Sequence, residues 1–197
     1  MLKLGENKIN AIAGHYSEIM KLLGMPITVS TQDTPKRVAK MLVNEVCYAL
    51  QPSAVLDLQA AMKVFPNDNG QNMVIIRNVR FTCFCEHHML PFSGAMNIGY
   101  TPNNSIVGLS KIPRIVEFLS KKPNLQENLV KEVAMFLKKT VDPHCVYVAA
   151  QATHTCVACR GIKSDCKTIT KYVWTCDEEN HYGYEDFKTL GGFDFAV

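Results

Sequence analysis

Two short runs of cysteine and histidine constrain this chain more than any other feature. They are Cys83-Phe84-Cys85-Glu86-His87-His88 and His154-Thr155-Cys156-Val157-Ala158-Cys159-Arg160. They lie far apart in the sequence, so a fold in which they serve one ion must bring two separate segments together. Cys85 and His88 stand as C-x-x-H, close enough for both to turn onto one centre. If the second run continues a strand, His154 and Cys156 share a face and Cys159 points to the other. That parity favours one metal held by Cys85, His88 and Cys156 over a zinc knuckle built on Cys156 and Cys159. Three nitrogen and sulfur ligands suit zinc and leave a fourth position for water, whose pKa falls to about 7 on the metal. His87 and His154 then remain beside it with the proton affinity of an acid and a base. Spacing equally admits a closed structural zinc with Cys83 or Cys159 as fourth ligand, and less readily thiols without metal.

Composition bears on how those thiols are read. The 197 residues are 47% hydrophobic and 20% charged, which fits one domain with a substantial core. A net charge of +3 is too small to indicate nucleic acid, so any anionic ligand must be held by a local cluster. No apolar run approaches the roughly 18 residues of a membrane span, and the first residues lack the apolar stretch of a signal peptide. The expectation is a soluble, cytoplasmic protein without a nucleic-acid or membrane partner. In a reducing compartment the eight cysteines read as thiols or ligands, not as a disulfide framework. Cys47, Cys145, Cys166 and Cys176 are expected to be small apolar residues in packed positions.

No repeat or low-complexity tract divides the chain, so residues 1–197 are read as one domain. Its helical part covers about 1–65 and its α+β part about 73–190. Ile9, Ile12, Ala13, Tyr16, Ile19, Met20 and Leu23 recur at helical spacing until Gly24 and Pro26 stop them. Thr34-Pro35 predicts an N-cap with proline in the first turn of a helix running to about Leu50. Residues 66–72 form a turn-rich break. Strands are predicted over Met73–Phe84, Gly94–Tyr100, Ile106–Val107, Cys145–Thr153 and Lys167–Thr175, and helices over Ser110–Ser120 and Leu125–Thr140. That order suggests α+β with an antiparallel sheet.

Several runs together resemble the GTP cyclohydrolase I family. They are Cys85-Glu86-His87-His88-Met89-Leu90-Pro91-Phe92-Ser93-Gly94, then Gly108-Leu109-Ser110-Lys111-Ile112-Pro113-Arg114-Ile115-Val116-Glu117, then Gln126-Glu127, and Ala152-Thr153-His154-Thr155-Cys156 with Arg160-Gly161. Thr34-Pro35-Lys36-Arg37-Val38-Ala39 matches the family's upstream helix start. The similarity covers about residues 7–172 in the family's order.

The resemblance implies the tunnelling fold, with helices packed on one side of an antiparallel sheet and the sheets of several subunits joined into a barrel. It implies conversion of GTP and water to 7,8-dihydroneopterin triphosphate and formate, begun by zinc hydroxide at guanine C8. By position, Cys85, His88 and Cys156 would bind zinc, His87 and His154 would shuttle protons, and Ser110 would stand near the ribose. Gln126 and Glu127 match the purine-recognition pair, and a carboxylate facing the guanine N1 and N2 protons would reject adenine. Lys111, Arg114, Arg160 and Arg37 match a cationic cradle for the triphosphate. A ring-shaped homo-oligomer, a decamer of two stacked pentamers with shared sites, is implied as well. Without the resemblance, Lys111, Arg114 and Glu127 read as solvated helix residues, as do Lys121-Lys122 and Lys138-Lys139. Cys83 and Cys159 depart from the family pattern, Cys83 with the strand parity to compete for metal. So do the divergent Tyr172–Tyr184 and the extra tail Gly191–Val197; between them Glu185–Leu190 resembles the family's last helix.

Overall fold

The computed structural model describes residues 2–68, 70, 72–176 and 183–191, with the side chains of residues 2–4 left aside. The tail beyond Gly191, the centre of the divergent segment and His181 lie outside the described residues. Among those described, no helix is long and apolar enough to cross a membrane.

Helix α1 spans Leu2–Leu22 and ends as its sequence predicts. Gly24 takes a left-handed φ of 68°, its N–H bonds the Lys21 carbonyl, and the Met25 N–H bonds that of Met20. This paired closure satisfies carbonyls that the last turn would leave without partners. Helix α2, Thr34–Met41, begins with Thr34 already inside the helix and Pro35 in its first turn. Asp33 is the cap, and no side chain bonds the helix start. The single helix expected to Leu50 is instead a relay. A π-helical turn at Leu42–Val46 and a 3₁₀ turn at Tyr48–Leu50 follow α2, before α3 at Pro52–Ala60. The wider turn is closed by the Cys47 N–H on the Leu42 carbonyl.

Strand β1 (Val64–Pro66) pairs antiparallel with β4 (Ser105–Val107). The main sheet has the order β2-β3-β5-β6, antiparallel throughout: Val74–Phe84, Pro91–Thr101, Cys145–His154 and Lys167–Thr175. Alternation sorts its faces. Val146, Val148, Ala150 and Ala152 of β5 point to one side, where α4 (Lys111–Leu119) and α5 (Gln126–Val141) cover them with Ile112, Ile115, Val116, Leu129, Val133 and Leu137. Asp142, left-handed at φ 43°, ends α5 ahead of Pro143.

The helices of the main core pack on one side of the sheet, as expected, and one short helix adds to the other. After the one-turn α6 (Thr155–Ala158), helix α7, Tyr184–Leu190, lies on the other face. There Phe187 stacks on Tyr147 at 5.4 Å beside Cys145. Gly99 makes this possible, because a Cβ there would run into the Phe187 ring.

Candidate active site

The first Cys/His run forms the connection between β2 and β3. The Cys85 N–H bonds the Leu90 carbonyl, while the Met89 N–H bonds back to the Cys85 carbonyl over one helical turn. Met89 accepts a left-handed φ of 52° to close it. On such a turn, residues three apart face one direction, which is how Cys85 and His88 meet.

A second segment braces the loop from the side. Asn124 pairs with Cys85 as a short parallel bridge, its N–H bonding the Phe84 carbonyl and its carbonyl accepting the Glu86 N–H. The Asn124 amide also donates to Glu132, which holds Lys122 at 2.7 Å. Lys122 is thus half-buried in a bonded cluster and not a solvated helix end. Sequence reasoning missed Asn124 and Glu132, because neither motif nor period marks a residue that works through backbone bridging.

The second run departs from the expected strand. β5 stops at His154, and Thr155–Ala158 turn into α6, so the strand parity assumed for Cys156 does not apply. The Thr155 hydroxyl anchors the turn on the Pro91 carbonyl at 2.6 Å. The convergence inferred from that parity nevertheless occurs by another route. One donor atom each from Cys85, His88 and Cys156 lies within 4.8 Å of the others. Zinc holds sulfur at about 2.3 Å and nitrogen at about 2.0 Å, so the three donors need to close by only about 1 Å to share one ion. Their chemistry fits as well. Burial first, then Cys85 beside it, pushes the Cys156 thiol up, while Arg160 pulls it back. A divalent cation replacing the two protons relieves that crowding.

Neither extra thiol joins them. Cys83 is fully buried, donates to the Lys122 carbonyl at 3.3 Å, and is pushed up to about 12, chiefly by burial. Cys159 is exposed. Cys145 is packed, but Cys166 and Cys176 are exposed, contrary to the expectation for them.

Beside the trio stand the two other imidazoles. His87 is exposed, edge-on to His88 at 6.3 Å between ring centroids. His154 lies flat on Phe92, 4.5 Å between centroids and 4° between planes, with its Nε2 2.8 Å from Gln126 Oε1. Burial lowers its pKa, and the Glu127 charge partly offsets that. Glu127 is exposed and faces His154 closely enough to act on it. Gln126 is only 1% exposed, and its amide nitrogen faces the Ala150 and Thr168 carbonyls and the Thr170 hydroxyl. Its amide is committed within the chain.

Ser110 precedes α4 with a hydroxyl that caps nothing; Lys111 is half-buried and Arg114 and Arg160 are exposed. Arg37 is not brought to this cluster. It lies on α2, 71% exposed at its side chain, loosely paired with Asp33 at 3.8 Å.

Two thiols and an imidazole gathered at one end of an antiparallel sheet, with further imidazoles at hand, suit a hydrolase that uses a bound metal. Comparison with known proteins makes the class particular. The sequence model described as GTP cyclohydrolase I matches residues 12–189. The GTP cyclohydrolase 1 of Parabacteroides distasonis is 36% identical over 182 residues, covering 91% of each chain. Those of Aeromonas salmonicida and Escherichia coli are 36% identical over 162 and 170 residues, covering 80% and 84% of this chain and 72% and 73% of theirs. The chain belongs to the GTP cyclohydrolase I family and is a hydrolase with GTP cyclohydrolase activity.

Proposed function

We propose that the protein converts GTP to 7,8-dihydroneopterin triphosphate and formate, with zinc held by Cys85, His88 and Cys156. The observation that carries this reading is the approach of those three donors to within 4.8 Å. It is reinforced by two histidines beside them that the metal does not need. Bound there, zinc would supply a Lewis acid that brings the pKa of water near about 7.

The chain's own groups supply the rest. His87, on the exposed turn, and His154, half-buried against Phe92, accept and return protons as the imidazole ring of the base opens and the ribose rearranges. Ser110 offers its uncommitted hydroxyl to the ribose. Glu127 accepts the N1 and N2 protons of guanine, a donor pair that adenine lacks. Lys111, Arg114 and Arg160 lie on elements flanking the site and oppose the triphosphate charge.

Arg37 belongs to the same cradle only if a second copy of the chain brings it there, which supports a homo-oligomer with shared sites, in the form of a decamer. Among the described residues β2 and β6 are the outermost strands of the four-stranded sheet, which gives a physical motive, since joining sheets into a barrel pairs such edges. Residues 1–197 act as one domain in the cytoplasm on this reading.

Incubation with GTP, reading formate and the pterin chromophore together, tests the reaction. Metal analysis with X-ray absorption tests the centre: about one zinc per chain with two sulfurs and one imidazole is expected. Formate without pterin, or a four-sulfur shell, would overturn the corresponding half.

A further inference from the structure

Gln126 opens α5 with its side chain turned inward, and the three acceptors around its amide nitrogen fix which way the amide points. The Ala150 carbonyl lies at 3.1 Å, the Thr168 carbonyl at 3.1 Å and the Thr170 hydroxyl at 3.0 Å. Two of these are carbonyl oxygens, which cannot donate. A flipped amide would set oxygen against oxygen in a buried site, so the nitrogen must stay there and Oε1 must face His154. An amide oxygen only accepts. The ring nitrogen 2.8 Å away, His154 Nε2, is therefore the donor.

We infer that Gln126 is a positioning residue that holds the His154 ring in place as its Nε2–H tautomer, with Nδ1 turned away from the amide as the nitrogen without a hydrogen. The inference rests on His154 serving as a proton carrier, the reading given above, and it changes the role of Gln126 from base contact to orienter. Phe92 completes the clamp, because a ring lying parallel to it at 4.5 Å cannot swing without losing the stack. Rotating the imidazole half a turn would replace the N–H facing Oε1 by a carbon.

The Nε2–H bond to Oε1 and the Phe92 stack hold the ring in one orientation, and no proton passes through Gln126. This resembles the division of labour in which a third group orients the base. Here a neutral amide does it, anchored on the backbone of β5 and β6.

The tautomer is directly readable. Long-range proton–nitrogen correlation spectra of zinc-loaded protein with nitrogen-labelled histidine should show His154 as the Nε2–H form. An Nδ1–H form in the unaltered protein would overturn the inference without any variant. Gln126→Met, close in size but unable to bond, should lose that pattern. It should also lower kcat about tenfold or more with KM within about twofold, and cause no further loss in a His154→Ala background. Gln126→Asn, which keeps a polar amide but cannot span the same distance, should follow the same split if the Met variant does not fold. A raised KM with unchanged kcat and an unchanged His154 spectrum would instead make Gln126 a base contact and defeat the proposal. Absence of formate from GTP in the unaltered protein would strike at the reaction, while the spectrum would still decide the tautomer.

Discussion

The α/β part of the chain and its helical N-terminal part are finished to different degrees. Around the main sheet the apolar residues close on one another. Met96, Ile98, Ile112, Ile115, Leu129, Val133 and Leu137 have no exposed surface at all. Over α1 and the segment after it the reverse holds: Leu22, Leu23, Ile27 and Val29 are each more than half exposed, and Leu50 and Leu56 continue the pattern toward α3. Apolar surface of that extent is uncommon on a chain that works alone. The contrast teaches that the sheet half closes its own core and gathers the Cys85, His88 and Cys156 cluster within it, while the helical half, which carries Arg37, leaves its apolar residues exposed. On the function proposed above, a second copy of the chain covers that surface and brings Arg37 to the site.

That contrast can be broken most directly by activity. Cys85→Ala should lose zinc and fall to background formate release. Arg37→Ala should keep zinc and still lose most turnover. Unfolded and refolded together, the two inactive variants should regain part of the activity, because some contacts would unite an intact Arg37 with an intact metal centre. No recovery despite demonstrated subunit mixing would place both groups within one chain.

Next in size, His87→Ala and His154→Ala should each retain zinc and lose about 10²–10⁴-fold in turnover. Loss of metal from either would mean that ligand and proton carrier have been exchanged. Glu127→Gln should weaken GTP binding by about 10–100-fold at unchanged zinc content, since a hydrogen bond to a charged group is worth about 1.5–3 kcal/mol. Undiminished affinity would return that carboxylate to solvent.

The smallest effects sharpen the comparison itself. Leu137→Ala, in the closed core, should cost about 2–5 kcal/mol in denaturant unfolding. Leu23→Ala, 70% exposed, should stay within about 0.5 kcal/mol for the dissociated chain while weakening assembly in sedimentation. Equal losses at both positions would show that the helical half is as self-contained as the sheet.

Much of this was legible in the residues. β6 occupies the predicted Lys167–Thr175, because a β-branched and aromatic run bounded by polar loops admits few alternatives. The metal trio was legible too, from spacing together with resemblance. What escaped has physical reasons. Propensity over residues 36–50 is helical throughout, and only the geometry of closure at Leu42–Cys47 distinguishes a π turn from an α turn. The parity argument for His154 and Cys156 supposes that the strand predicted over Cys145–Thr153 continues to Cys156, and the strand preference of Thr155 and Val157 does not speak against that. The bond from the Thr155 hydroxyl to the Pro91 carbonyl, a contact distant in sequence, outweighs that preference. The resemblance gives Gln126 to the substrate together with Glu127, as a pair, whereas only Glu127 is exposed. At the start of a helix, one residue of rotation decides which of two adjacent polar side chains faces water.

Asn97 links two places that otherwise share nothing. Its side-chain oxygen accepts the N–H of Asn78, which sits at φ 60° inside the bulge of β2, and its nitrogen donates to the carbonyl of Gly191 just after α7. The amide is 2% exposed, so the bond it donates to Gly191 is made away from water. α7 is thus fastened to the same side chain that closes the bulge of β2, which makes the last helix a latch on the sheet. In native-state hydrogen exchange, the amides of α7 should open at lower free energy than those of β3, and Asn97→Ala should release the helix while leaving the opposite end of the sheet, with Cys85, His88 and Cys156, protected.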